Sequence, residues 1–88
     1  MKVLVLYRPN SEHGRIIEDF IREFQSRVDS NKMEISNIDS RDGSSMASLY
    51  DIMSYPAILI LQTDGSLAKC WQGNELPLID EVAAYVRS

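Results

Sequence analysis

Two short runs of this chain are almost wholly apolar: KVLVLY at residues 2–7 and PAILIL at 56–61. Runs of Val, Ile and Leu without polar alternation predict strands covered on both faces, hence central ones. Pro9 ends the first. From Ser11 the period changes, and Ile16, Ile17, Phe20, Ile21, Phe24 and Val28 recur at three- and four-residue spacings. That is one apolar stripe of a helix over 12–28, with Arg15, Glu18, Asp19, Arg22 and Glu23 on the other side. Residues 29–32 read as a turn. In MEISNI (33–38), Met33, Ile35 and Asn37 alternate with Glu34, Ser36 and Ile38, which predicts a short, more polar edge strand. The stretch 39–55 is ambiguous: Ser44 or Ser45 can cap a short helix carrying Met46, Leu49, Tyr50 and Met53. Asp64-Gly65 is a hairpin signal, and SLAKCWQG is its return strand. A last helix over 75–87 follows from Leu76, Ile79, Val82, Ala83 and Val86, with Pro77 tolerable in its first turn.

The order is therefore β-α-β, a short helix, a hairpin and a closing helix. A βαβ crossover is right-handed. Two central and two edge strands place the sheet in the order 2-1-3-4, with the third strand antiparallel to the first and helices on both faces. The expected fold class is α/β, a four-stranded mixed sheet in one domain over 1–88. The 12–28 and 75–87 helices share one face.

Charge narrows the partners. Thirteen acidic residues against nine basic give a formal net charge of -4, which disfavours broad phosphate-backbone binding, so no nucleic acid is expected. Arg15, Arg22 and Arg27 are interleaved with acids rather than clustered. Cys70 is the sole cysteine, which excludes an internal disulfide or a Cys-based zinc site. Asp39, Asp42 and Asp51 lack calcium-loop spacing, so no metal is expected. No apolar run reaches membrane-spanning length and no signal-peptide cleavage site follows the N-terminal run, so no membrane association is expected and a cytoplasmic location is the default.

The junction VLVLYRPNSEHG, the stretch SYPAILIL and the closing DGSLAKCWQGNELPLIDEV together resemble the thioredoxin-like superfamily in its small, glutaredoxin-sized form. The resemblance covers essentially the whole chain. It implies that Pro56 is a cis-proline facing the N-terminus of the first helix, and that the Tyr55 backbone pairs with extended ligands or glutathione. The family's Cys-x-x-Cys or Cys-x-x-Ser motif falls on SEHG, so Ser11 stands where the nucleophilic cysteine would be and Gly14 where the resolving one would be. A helix N-terminus lowers a thiol pKa enough to make a nucleophile; a serine hydroxyl starts far higher. Dithiol oxidoreductase chemistry is therefore not expected.

Among single residues, Ser11 has a ready role as N-cap, accepting free N–H groups of the first turn, and is only a weak catalytic candidate. His13 has polar neighbours and reads as a solvated histidine in that same turn; it is kept among the residues bordering a ligand. Arg8 precedes the helix start, where an anion is already favoured, and can either help hold one or sit in a surface ion pair. Asn74, in Gly73-Asn74-Glu75, matches loosely the place where glutathione-binding relatives hold one end of the tripeptide. Trp71 and Tyr55 can border a groove, or Trp71 can cover the sheet under the last helix. Cys70 reads as a small strand hydrophobe.

Three functions stay open. The first is a redox-inactive domain binding an extended peptide or protein partner beside Pro56, through Arg8, Ser11, His13, Tyr55, Pro56, Trp71 and Asn74. The second is a glutathione- or small-anion-dependent protein using Ser11 and Arg8, with glutathione as the one cofactor considered. The third is a structural domain acting as a homodimer.

Overall fold

Strand β1 (Lys2–Tyr7) runs through the sheet with Val3 to Leu6 fully buried, and strand β3 (Ala57–Leu61) lies antiparallel beside it with Ala57 to Ile60 fully buried. These positions belong to a computed structural model that describes residues 1–27, 33–73 and 76–87. Strand β2 (Met33–Asn37) pairs parallel with the outer side of β1, and strand β4 (Leu67–Gln72) pairs antiparallel with β3. The sheet order is β2-β1-β3-β4, as the sequence predicts.

Burial on both faces follows from the alternation of side chains along a strand. Val3, Val5, Tyr7, Ile58 and Ile60 face one layer, where they meet Ile17, Phe20, Ile21 and Phe24 of helix α1 (Gly14–Arg27) and Val82, Ala83 and Val86 of helix α3 (Ile79–Arg87). Leu4, Leu6, Ala57, Leu59 and Leu61 face the other layer, with Ala47 of helix α2 (Arg41–Leu49) and the following Ile52. Each fully buried Leu or Ile contributes about 1.5–3 kcal/mol of transfer free energy, so the two central strands hold the layers together.

Element ends depart from the sequence reading for local reasons. Ser40, not Ser44 or Ser45, caps α2: its Oγ accepts the Gly43 N–H at 3.0 Å, and its carbonyl accepts the Ser44 N–H at 2.9 Å. Helix α3 starts at Ile79 rather than 75, so Pro77 precedes the helix instead of occupying its first turn. The Leu78 carbonyl accepts the Val82 N–H, and Glu81 reaches back to the Leu78 N–H at 3.2 Å, which is half of a capping box. Helix α1 begins at Gly14 rather than 12, and Ile16, expected in its apolar stripe, is 61% exposed. Val28 and Glu75, the other expected helix ends, lie outside the described residues. No helix among the described residues is long and apolar enough to cross a membrane.

Candidate functional site

The β1–α1 junction is a double turn tied to Arg8. The Arg8 carbonyl accepts both the Ser11 N–H at 3.2 Å and the Ser11 hydroxyl at 2.6 Å, and the Ser11 carbonyl accepts the Gly14 N–H at 3.1 Å. Ser11 therefore does not cap α1. Its hydroxyl donates backwards into the turn, while the His13 carbonyl takes the first helical bond from Ile17. Gly14 is set by close approach: a Cβ there would run into the Pro9 carbonyl oxygen. The position at which the resemblance puts a resolving cysteine has no room for any side chain.

Arg8 is held in an ion pair. Its Nε and Nη2 donate to the two carboxylate oxygens of Asp39 at 3.0 and 3.1 Å, a two-pronged contact between exposed side chains. The bond to Asp39, and then its charge, raise the Arg8 pKa further above its already high ordinary value. His13 is half-buried rather than fully solvated, and its Nε2 accepts the Arg8 N–H at 3.3 Å.

Across from the first turn of α1, the Tyr55–Pro56 peptide is cis and Pro56 is buried. His13, Ile16, Pro56, Gly73 and Leu76 line a hollow of about 110 Å³ between that turn and the start of β3. The ladder between β3 and β4 begins at Ala57, and the Pro56 carbonyl accepts the Gly73 N–H at 2.9 Å. No hydrogen bond among the described residues uses the N–H or the C=O of Tyr55. Among the described residues, then, the Tyr55 backbone donor and acceptor carry no bond, one residue before Pro56, which lines the hollow.

The aromatic border expected from Tyr55 and Trp71 does not form. Trp71 pairs with Ile58 in the ladder and so lies on the α1/α3 face, edge-on to Tyr85 with ring centroids 6.0 Å apart and with Lys69 Nζ 5.7 Å from its ring. Tyr55 packs on the opposite face, against the α2 layer. Asn74 lies outside the described residues. The structure thus brings His13 and Pro56 together, keeps Arg8 and Ser11 in the adjoining turn, and sets Trp71 against Tyr85 on the α1/α3 face rather than among the hollow's lining residues. Cys70 pairs with Leu59, on the α2 face, and burial pushes its thiol pKa up, partly offset by a hydrogen bond involving Gln72. Among the described residues, no group of three or more His, Cys, Asp or Glu side chains is placed to hold a metal ion.

Sequence reasoning missed the contributions of Ile16, Gly73 and Leu76 to the hollow; it offered a surface ion pair for Arg8 without naming Asp39 as the partner. Ile16 carried no separate signal: adjacent helical residues lie about 100° apart, and the adjacent Phe20 and Ile21 both enter the core.

No protein-family model and no curated protein sequence matches the chain. Solved structures do. Thioredoxin 1 of Thermosipho africanus TCF52B is 16% identical, superposes with a TM-score of 0.71, and covers 99% of this chain and 91% of its own. Thioredoxin f2, solved in complex with ferredoxin:thioredoxin reductase, is 18% identical with a TM-score of 0.64, covering 98% of this chain and 76% of its own. The chain has the thioredoxin fold. It has one cysteine and no Cys-x-x-Cys motif, so it has no internal dithiol with which to reduce a disulfide.

Proposed function

We propose that this redox-inactive thioredoxin-like domain binds an extended segment of a peptide or protein partner beside Pro56. The observation that carries the reading is that the N–H and C=O of Tyr55 have no partner among the described residues, directly before Pro56, which lines the hollow with His13, Ile16, Gly73 and Leu76. An extended chain laid there gains main-chain hydrogen bonds from Tyr55 and seats an apolar side chain against Ile16 and Leu76, the two terms on which strand addition depends. A neutral hydrogen bond contributes about 0.5–1.5 kcal/mol net, so two of them and one seated side chain suit a weak, exchangeable contact. Thioredoxin f2, one of the similar structures, was solved with a protein partner.

The glutathione or small-anion reading draws less support. Both functional ends of the arrangement it needs are occupied, since Arg8 holds Asp39 and the Ser11 hydroxyl is donated to the Arg8 carbonyl. Titration of the ¹⁵N-labelled protein with an acetylated Val-Thr peptide and, separately, with glutathione tests the choice. The peptide is expected to move the amides of residues 13–16, 55 and 73, and glutathione to move none of them. Movement by glutathione alone would overturn the reading in favour of the anion site.

A further inference from the structure

The open side of the sheet carries a second, chemically different surface. Strand β2 ends the sheet, and among the described residues no strand pairs with its outer edge. Between that edge and α2 lies a groove of about 440 Å³, much larger than the hollow beside Pro56. Its floor is Leu4 and Met46, Ile35 and Leu49 are exposed at its margin, and Glu34 and Asp42 are the charged groups that line it. Leu49 is 70% exposed and Ile35 42% exposed, so the groove has an apolar rim open to solvent.

We propose that this groove receives an extended basic segment of a partner protein, added as a strand to the free edge of β2. The occupant is chosen by charge. Both charged groups lining the groove are carboxylates, and the whole chain carries a formal net charge of -4. Lys2 pairs with Glu34 at 3.2 Å, while Asp42 has no partner among the described residues. A strand laid against β2 turns every second side chain toward α2. An arginine or lysine at those positions places its methylene stem over Met46 and Leu49 and its cationic head beside Asp42 and Glu34, the usual way such side chains divide between apolar and polar surroundings. A second copy of the chain fits less well, because its own β2 would bring another Glu34 to the same rim, and like charges across an edge oppose pairing.

Two acetylated and amidated peptides test this: Val-Arg-Val-Arg-Val-Thr, and the same sequence with glutamine for both arginines. Each is titrated into the ¹⁵N-labelled protein, at low and at raised salt. Both are expected to move the amides of 33–37 and 42–49, the arginine peptide roughly fivefold more tightly, the gain that two exposed ion pairs supply. That preference is expected to shrink with salt and to vanish in Asp42→Lys, whose fold is checked by circular dichroism. Equal binding of the two peptides overturns the proposal, as does an absence of shifts at β2 and α2, or shifts confined to 13–16 and 55. A doubling of mass with concentration, with those same β2 amides shifting in the absence of peptide, assigns the edge to a second copy and overturns it as well. Only shifts confined to 13–16 and 55 bear on the hollow beside Pro56, which they would support while overturning this proposal; the other outcomes lie on different residues.

Discussion

Gly14 shows how one residue settles what the junction can be. Its Cα sits so near the Pro9 carbonyl that even a methyl group requires the turn to move. Forcing a side chain into a filled space costs typically 1–3 kcal/mol, so Gly14→Ala is expected to lower stability by roughly that amount in urea denaturation. An unchanged midpoint would show that the turn yields freely. Cys70 is a second case at this scale. Its thiol is half-buried with its pKa raised chiefly by burial, so at neutral pH it stays protonated and slow to react. Iodoacetamide is expected to label the native protein sluggishly and the unfolded protein at the rate of a free thiol; equal rates would contradict the burial. A raised folded-state pKa stabilises the fold below the ordinary thiol value, and that contribution is lost as pH rises through the higher one.

At the scale of elements, strand β4 and helix α3 depend on each other through Trp71 and Tyr85. Trp71→Ala removes that edge-on pair and the surface Trp71 shares with the α1/α3 layer, and is expected to cost roughly 2–3 kcal/mol. Peptide affinity at Tyr55 is expected to stay unchanged after correction for the unfolded fraction. A loss of affinity with intact stability would return Trp71 to the groove. The elements themselves were largely legible. Val3 to Leu6 and Ile58 to Ile60 are unbroken apolar runs, and such runs have few alternatives to a central strand. Caps were harder, because Ser40, Ser44 and Ser45 are chemically equivalent; the cap falls on Ser40, whose Oγ also donates to the Asn37 carbonyl at the end of β2 at 2.6 Å. The face of Trp71 was equally hidden. Alternation along β4 separates Trp71 from Cys70, but only pairing with Ile58 and Leu59 says which face each one takes. For Arg8 the ion-pair reading was available but not the partner, since Asp39 is 31 positions away.

For the whole molecule, the thioredoxin fold is combined with a β1–α1 junction that has no Cys-x-x-Cys pair. Ser11 and Gly14 stand at the first helix, and Cys70 lies in β4. Insulin reduction by dithiothreitol is therefore expected to run at its uncatalysed rate in the presence of the protein. An acceleration abolished by Cys70→Ser would show that a single strand thiol suffices. The hollow beside Pro56 is the proposed seat of an extended ligand, paired through the Tyr55 backbone. The most direct measurement is amide hydrogen exchange at Tyr55, with and without a saturating acetylated Val-Thr peptide. The account predicts rapid exchange in the free protein, because this N–H has no partner among the described residues, and clear slowing when the peptide is bound. Unchanged exchange at Tyr55, with the peptide demonstrably bound, would contradict it.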